Sequence, residues 1–133
     1  MKIAALIARN LLGLMFVVFG LNGFLHFIKL PPPTGLAGQY LGLLTTTHFL
    51  APVYLLQVIS GVLLLLNRFV PIALVLLGPV LVNILLYHAL MEPKGLPPGL
   101  VAMALWLVVF YSVRSAFAGV FAMRVEGPDA ARN

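Results

Sequence analysis

The chain has 133 residues, 62% of them hydrophobic and only 8% charged, with a mean hydropathy of +1.12. A soluble domain carries roughly 25% charged residues, so this composition excludes a water-facing globule and leaves lipid as the main solvent. The formal charge of +5 comes from scattered Lys and Arg, with no basic stripe and interleaved aromatics to mark a nucleic-acid surface, and the absence of cysteine removes disulfides, thiolate metal sites and Cys-based redox chemistry from this chain.

A hydrocarbon core about 30 Å thick needs roughly 20 helical residues per crossing, so four crossings use most of the length as a single domain. The expected fold is all-α: a polytopic membrane protein whose four-transmembrane-helix bundle fills residues 1–123, with spans near 3–29, 48–66, 70–91 and 98–121. A disordered cytoplasmic tail is expected over 124–133. The first apolar run is too long for a signal-peptide h-region of about 7 to 15 residues and reads as an uncleaved helix.

In that first span only Arg9, Asn10, Asn22 and His26 interrupt the apolar character, and Pro31-Pro32-Pro33 stops the helix. Gly13 and Gly20, seven apart, form a face that lets a neighbouring helix approach closely. Asn22 and His26 lie about 40° apart on the wheel and look toward one neighbour, away from the glycines. Residues 34–47, with Gly35, Gly38, Gln39, Gly42 and four threonines, read as a connection that includes a short helix at the membrane surface. Thr46 or Thr47 is expected to cap the second span.

The second span carries Tyr54, Gln57, Ser60 and Gly61 as one stripe of polar and small groups that should face protein. His48 lies about 180° from Gln57 and belongs at the interface. In the third span Gly78-Pro79 predicts a bend, Asn83 and Tyr87 share a face, and His88 is rotated by about 140° from Asn83. The fourth span holds Trp106, the single tryptophan, and a small-residue stripe of Ser112, Ser115, Ala116 and Gly119 that reads as a close-packing face toward another helix or a second subunit. Lys2, Arg9, Arg68, Arg114, Arg124 and Arg132 fall on one side of four crossings and Lys29 and Lys94 on the other, so the positive-inside rule places both termini in the cytoplasm.

With a rise of about 1.5 Å per residue, Asn22, Gln57 and Asn83 come to one level roughly 10 to 14 Å below the outer end. Trp106 reaches the same level, with His26 and Tyr87 one turn above and His48 and His88 at the rim. This layer has two readings. The amides either bond one another and fix helix register, at about 0.6 and at most about 2 kcal/mol per contact, or line a cavity for a small lipophile such as a quinone. No HxxxH pair and no intramembrane carboxylate supports a metal or haem site, no Ser/His/Asp set or carboxylate pair supports hydrolysis, and no chain of ionisable residues through the full depth supports a channel. A stand-alone enzyme is not expected.

The first helix with Arg9, Gly13, Gly20, Asn22 and His26, the Pro-Pro-Pro turn, the Gln57-Val-Ile-Ser-Gly61 run after His48, and Gly78-Pro79 followed by Asn83 and His88 together resemble the DoxX-like family of small bacterial membrane proteins. The resemblance implies a four-helix bundle in the bacterial inner membrane. Some relatives are associated with membrane oxidoreductase complexes, including quinone-linked sulfur oxidation, and a eukaryotic branch resembles receptor-assembly chaperones. The expectation is therefore an accessory or lipophile-binding subunit of a redox system, with Asn22, His26, Gln57, Asn83 and Tyr87 around a quinone-like ligand and Trp106 closing the pocket. The alternative is a non-enzymatic assembly protein that self-associates or binds partners through the Gly13/Gly20 face or the 112–119 stripe, its polar layer only fixing helix packing.

Overall fold

The computed structural model describes residues 1–128. It is all-helical, with no strand among the described residues. Five α-helices are arranged in order: α1 Lys2–Leu25, α2 Gly35–Thr46, α3 Ala51–Leu65, α4 Val70–Leu90 and α5 Leu96–Ser112, with single 3₁₀ turns at Pro93–Gly95 and Arg114–Phe117. Helices α1 and α4, and α5 together with the turn before it, are long and apolar enough to cross a membrane; α2 and α3 meet at 87° and make a fourth crossing if the bent pair counts as one.

α1 packs on α3 and α5, and α4 packs on the same two, closing a four-helix ring in which α1 and α4 lie diagonally opposite. Short turns make α3, α4 and α5 successively antiparallel, and α1 runs antiparallel to α3, with Gly13 on Gly61 and Gly20 on Val58. The ring therefore has a basal end, carrying the start of α1 and the α3–α4 turn, and a distal end, carrying the end of α1 and the α4–α5 turn. Leu12, Leu64, Leu74, Leu77, Leu81 and Val109 are fully buried between the helices, while Leu6, Leu14, Leu55, Val75, Leu86 and Leu107 are exposed on the outside. A ring apolar inside and out is suited to a hydrocarbon solvent.

The tightest seam joins α1 to α3. Gly13 and Gly61 face each other so closely that a Cβ on Gly61 would lie 2.7 Å from the Gly13 carbonyl oxygen and 2.8 Å from the Val17 nitrogen. Gly20 admits Val58 and Gln57 in the same way. The expected Gly13/Gly20 packing face is thus occupied by α3 of the same chain. The expected stripe on α3 faces protein as well: Gln57, Ser60 and Gly61 are buried.

Several boundaries differ from expectation, each for a local reason. α1 stops at Leu25 because His26 takes a left-handed conformation, φ 52°, with its N–H donating to the Asn22 carbonyl; the Asn22 side chain then accepts from the Ile28 N–H at 2.7 Å. This is a C-terminal cap. Thr46 and Thr47 do not cap α3 but donate back to the α2 carbonyls of Gly42 and Leu43, both at 2.8 Å. α5 ends at Ser112, whose hydroxyl donates to the Val109 carbonyl at 2.6 Å. The chain then folds into a 3₁₀ turn that buries Phe117 beside Phe110, ring centroids 4.9 Å apart. Ser112, Ser115, Ala116 and Gly119 consequently do not form one helical face, and all four are exposed. Residues 124–127 have no regular structure; the remainder of the expected tail, 129–133 with Arg132, lies outside the described residues.

Trp106 links α5 to α4: its indole N–H donates to the Leu74 carbonyl at 3.0 Å, and its ring stacks on Phe110 at 5.3 Å. Trp106→Phe keeps the stack and removes the bond. Unfolding in detergent is expected to register a loss of about 0.6 kcal/mol, and no more than about 2 kcal/mol, the range for interhelical hydrogen bonds in lipid. An unchanged unfolding midpoint would count against the bond.

Candidate functional site

A cavity of about 290 Å³ opens inside the distal half of the ring. All four ring helices contribute to it: Met15, Phe16, Phe19, Asn22 and Gly23 from α1, Tyr54 and Gln57 from α3, Leu81, Ile84 and His88 from α4, and Pro98, Gly99 and Ala102 from α5. Along α1 it runs from Met15 to Gly23, about 12 Å at 1.5 Å per residue. Its wall is mainly aliphatic and aromatic, with polar groups from three different helices.

Gln57 is the buried member of that polar set, only 6% exposed. Its amide has no hydrogen-bond partner among the described residues, and it lines the cavity. An amide offers two donors and two acceptor positions, and those of Gln57 are reachable from the cavity. Asn22 lines the cavity too, but its oxygen is held by the Ile28 N–H. The Asn22 NH₂ is the part left to bind. Tyr54 is half-buried against Gly23, which a side chain would drive into the phenol ring, and meets Phe24 edge-on at 5.9 Å.

His88 completes the set from α4. Its Nδ1 lies 3.0 Å from Glu92 Oε2 and 3.1 Å from the Glu92 carbonyl oxygen. With two acceptors there, Nδ1 carries the proton, and in the neutral ring Nε2 is an acceptor. Gly95 leaves the space in which the ring and the Glu92 carboxylate sit, since a Cβ there would collide with the imidazole and come within 2.7 Å of Glu92 Oε2. The turn Pro93–Gly95 therefore positions the histidine.

Of the residues expected around the ligand, the structure brings Asn22 and Gln57 together and leaves the other four out of the lining. His26 is exposed beyond the end of α1. Asn83 is exposed on the outside of α4, its Nδ2 donating to the Pro79 carbonyl at 2.9 Å. Tyr87, on the same side as Asn83, stacks on Tyr40 of α2 with centroids 5.9 Å apart. Trp106 is engaged with Leu74 deeper in the bundle. The expected layer of three amides is a pair.

His88 is the site residue that the sequence reading places at the rim. The rotation of about 140° between Asn83 and His88 is correct, but it is Asn83 that faces out, which turns His88 in. Leu77, Leu81, Ile84 and His88 form the inward stripe. His48 is exposed in the α2–α3 turn with φ 56°, and no group of three metal-ligating side chains occurs among the described residues. Comparison with family models, curated proteins and solved structures yields no match.

Proposed function

We propose that this chain is a DoxX-like accessory subunit of a membrane-associated redox system, and that it binds the ring of a quinone-like lipophile in the distal cavity. In this reading the protein sits in a bacterial inner membrane with both termini cytoplasmic, which puts the cavity in the outer half of the bilayer. The observation that carries the reading is Gln57: a largely buried residue whose amide makes no protein hydrogen bond and opens onto a cavity with an apolar wall. Ligand sites begin at about 300 Å³ and combine apolar walls with a few convergent polar groups. A volume of about 290 Å³ fits one ring and not a long tail, which would leave the cavity along the bundle. The Gln57 and Asn22 NH₂ groups suit the carbonyl oxygens of a quinone, and Nε2 of His88 suits the hydroxyl of the reduced form. The chain supplies binding and orientation; electrons would come from a partner enzyme.

Of the two surfaces named for the assembly-protein reading, Gly13 and Gly20 are covered by α3 within this chain, while Ser112, Ser115, Ala116 and Gly119 are exposed but form no single helix face. The test is calorimetric titration of delipidated protein with a short-chain benzoquinone or naphthoquinone. One molecule per chain is expected, with binding at least tenfold tighter than that of a hydrocarbon of the same ring size. Equal affinity for quinone and hydrocarbon would sink the proposal.

A further inference from the structure

A second cavity, of about 380 Å³, lies at the basal end and is lined by Lys2, Arg9, Asn67, Ser112 and Arg114 together with apolar side chains such as Leu6 and Val109. Three cations thus come to one cavity from the start of α1 and the end of α5. Among the described residues no carboxylate lines it: Glu92 is at the distal end with His88, and Glu126 lies in the exposed segment after Phe117.

Arg9 is the informative member. It sits two turns into α1, half-buried, and its guanidinium donates to the Leu64 carbonyl at the C-terminal end of α3. That bond uses one of five N–H groups and leaves the charge without a counter-ion in surroundings where an unpaired cation is costly. Arg114 is held in place by a 2.7 Å bond to the Tyr111 carbonyl and by its position 4.0 Å over the Tyr111 ring. Its remaining donors are therefore presented without further loss of side-chain freedom. The first turn of α1 contributes unpaired backbone N–H groups and the positive end of a 24-residue helix.

We infer that the basal cavity is a site for the phosphate of an anionic phospholipid, held by Arg9, Arg114 and Lys2, with the acyl chains lying along the apolar outer face of the bundle. Basic pockets between transmembrane helices have the chemistry such headgroups require. The walls formed by Leu6 and Val109 favour a lipid over a soluble phosphate compound. This inference is independent of what occupies the distal cavity.

The test is native mass spectrometry of the full chain in a neutral detergent, with added phosphatidylglycerol, phosphatidylcholine or glycerol phosphate. Retention of phosphatidylglycerol at least tenfold above phosphatidylcholine is expected. It should fall about tenfold in Arg114→Gln and in Arg9→Gln and stay unchanged in Lys94→Gln at the opposite end. Arg114 lies outside the α-helices, so its variant remains informative if Arg9→Gln loosens the end of α3. Equal retention of the two lipids, or full retention in Arg114→Gln, would overturn the site. Displacement of phosphatidylglycerol by equimolar glycerol phosphate would overturn the lipid as its source.

Discussion

Gly61→Leu is expected to destabilise the bundle by about 3 kcal/mol, roughly a hundredfold in the ratio of folded to unfolded protein, the upper part of the usual range for overpacking. The magnitude comes from the atoms a side chain would meet. Its first carbon would lie 2.7 Å from the Gly13 oxygen, 2.7 Å from Val17 Cγ2 and 2.8 Å from the Val17 nitrogen. Two of those three atoms are backbone and cannot swing aside, so α1 and α3 must separate along the whole seam. The separation would also remove Gly20 from Val58 and Gln57. Gly119→Leu is the matching control, because nothing lies within 4 Å of a Cβ there; its effect is expected within about 0.5 kcal/mol. Reversible unfolding in mixed micelles, monitored by far-ultraviolet circular dichroism, separates the two. Equal midpoints for both variants would mean that the glycine seam does not hold the helices together.

Gln57→Leu is expected to weaken binding while leaving the stability of the empty bundle nearly unchanged. In the empty protein the amide makes no hydrogen bond to the chain and opens onto the cavity. Leucine of similar volume breaks no protein hydrogen bond, so the stability of the empty bundle should stay within about 1 kcal/mol of its former value. Quinone affinity should fall by roughly 10- to 100-fold, since one or two hydrogen bonds to the ring oxygen are lost, and every 1.4 kcal/mol is about tenfold. If the amide only fixed helix register, the same substitution would lower stability and leave binding alone. Asn83→Leu should change neither quantity, because that side chain is exposed and bonded within its own helix. Thermal unfolding with and without quinone reads both effects, and a less stable Gln57→Leu protein with unchanged affinity would reject the assignment.

How far the site can be read from the chain depends on which signals survive in lipid. Gln57 is legible because it shares one side of α3 with Tyr54, Ser60 and Gly61, and small or polar groups on a membrane helix turn toward protein. Gly13 and Gly20 are legible on the same ground. α4 is not. Leucine, valine and isoleucine occupy both its inward face, Leu77 and Leu81, and its outward face, Val75, Val82 and Leu86, so hydrophobicity has no period that could orient it. Its one visible polar face, Asn83 with Tyr87, invites an inward assignment. The Pro79 carbonyl and α2 instead give those residues partners on the outside. His26 is misplaced for a different reason: helical arithmetic reaches one residue past the end of α1, where the cap made by Asn22 ends the periodicity.

By itself the sequence determined that the chain is helical and that its helices are apolar enough to cross a membrane. Composition, span length and proline position set those properties locally, and no tertiary partner is needed to establish them. It also determined which helix carries the glycines that must be approached closely. Only the tertiary structure decided which face of α4 looks inward, that His88 joins Asn22 and Gln57 at one cavity, and that Arg9 and Arg114 meet at another. The physical reason is the solvent. In water, burial separates apolar from polar faces along each helix. In hydrocarbon every face can be apolar, and rotation is settled by packing and by the few polar groups that find partners on neighbouring helices.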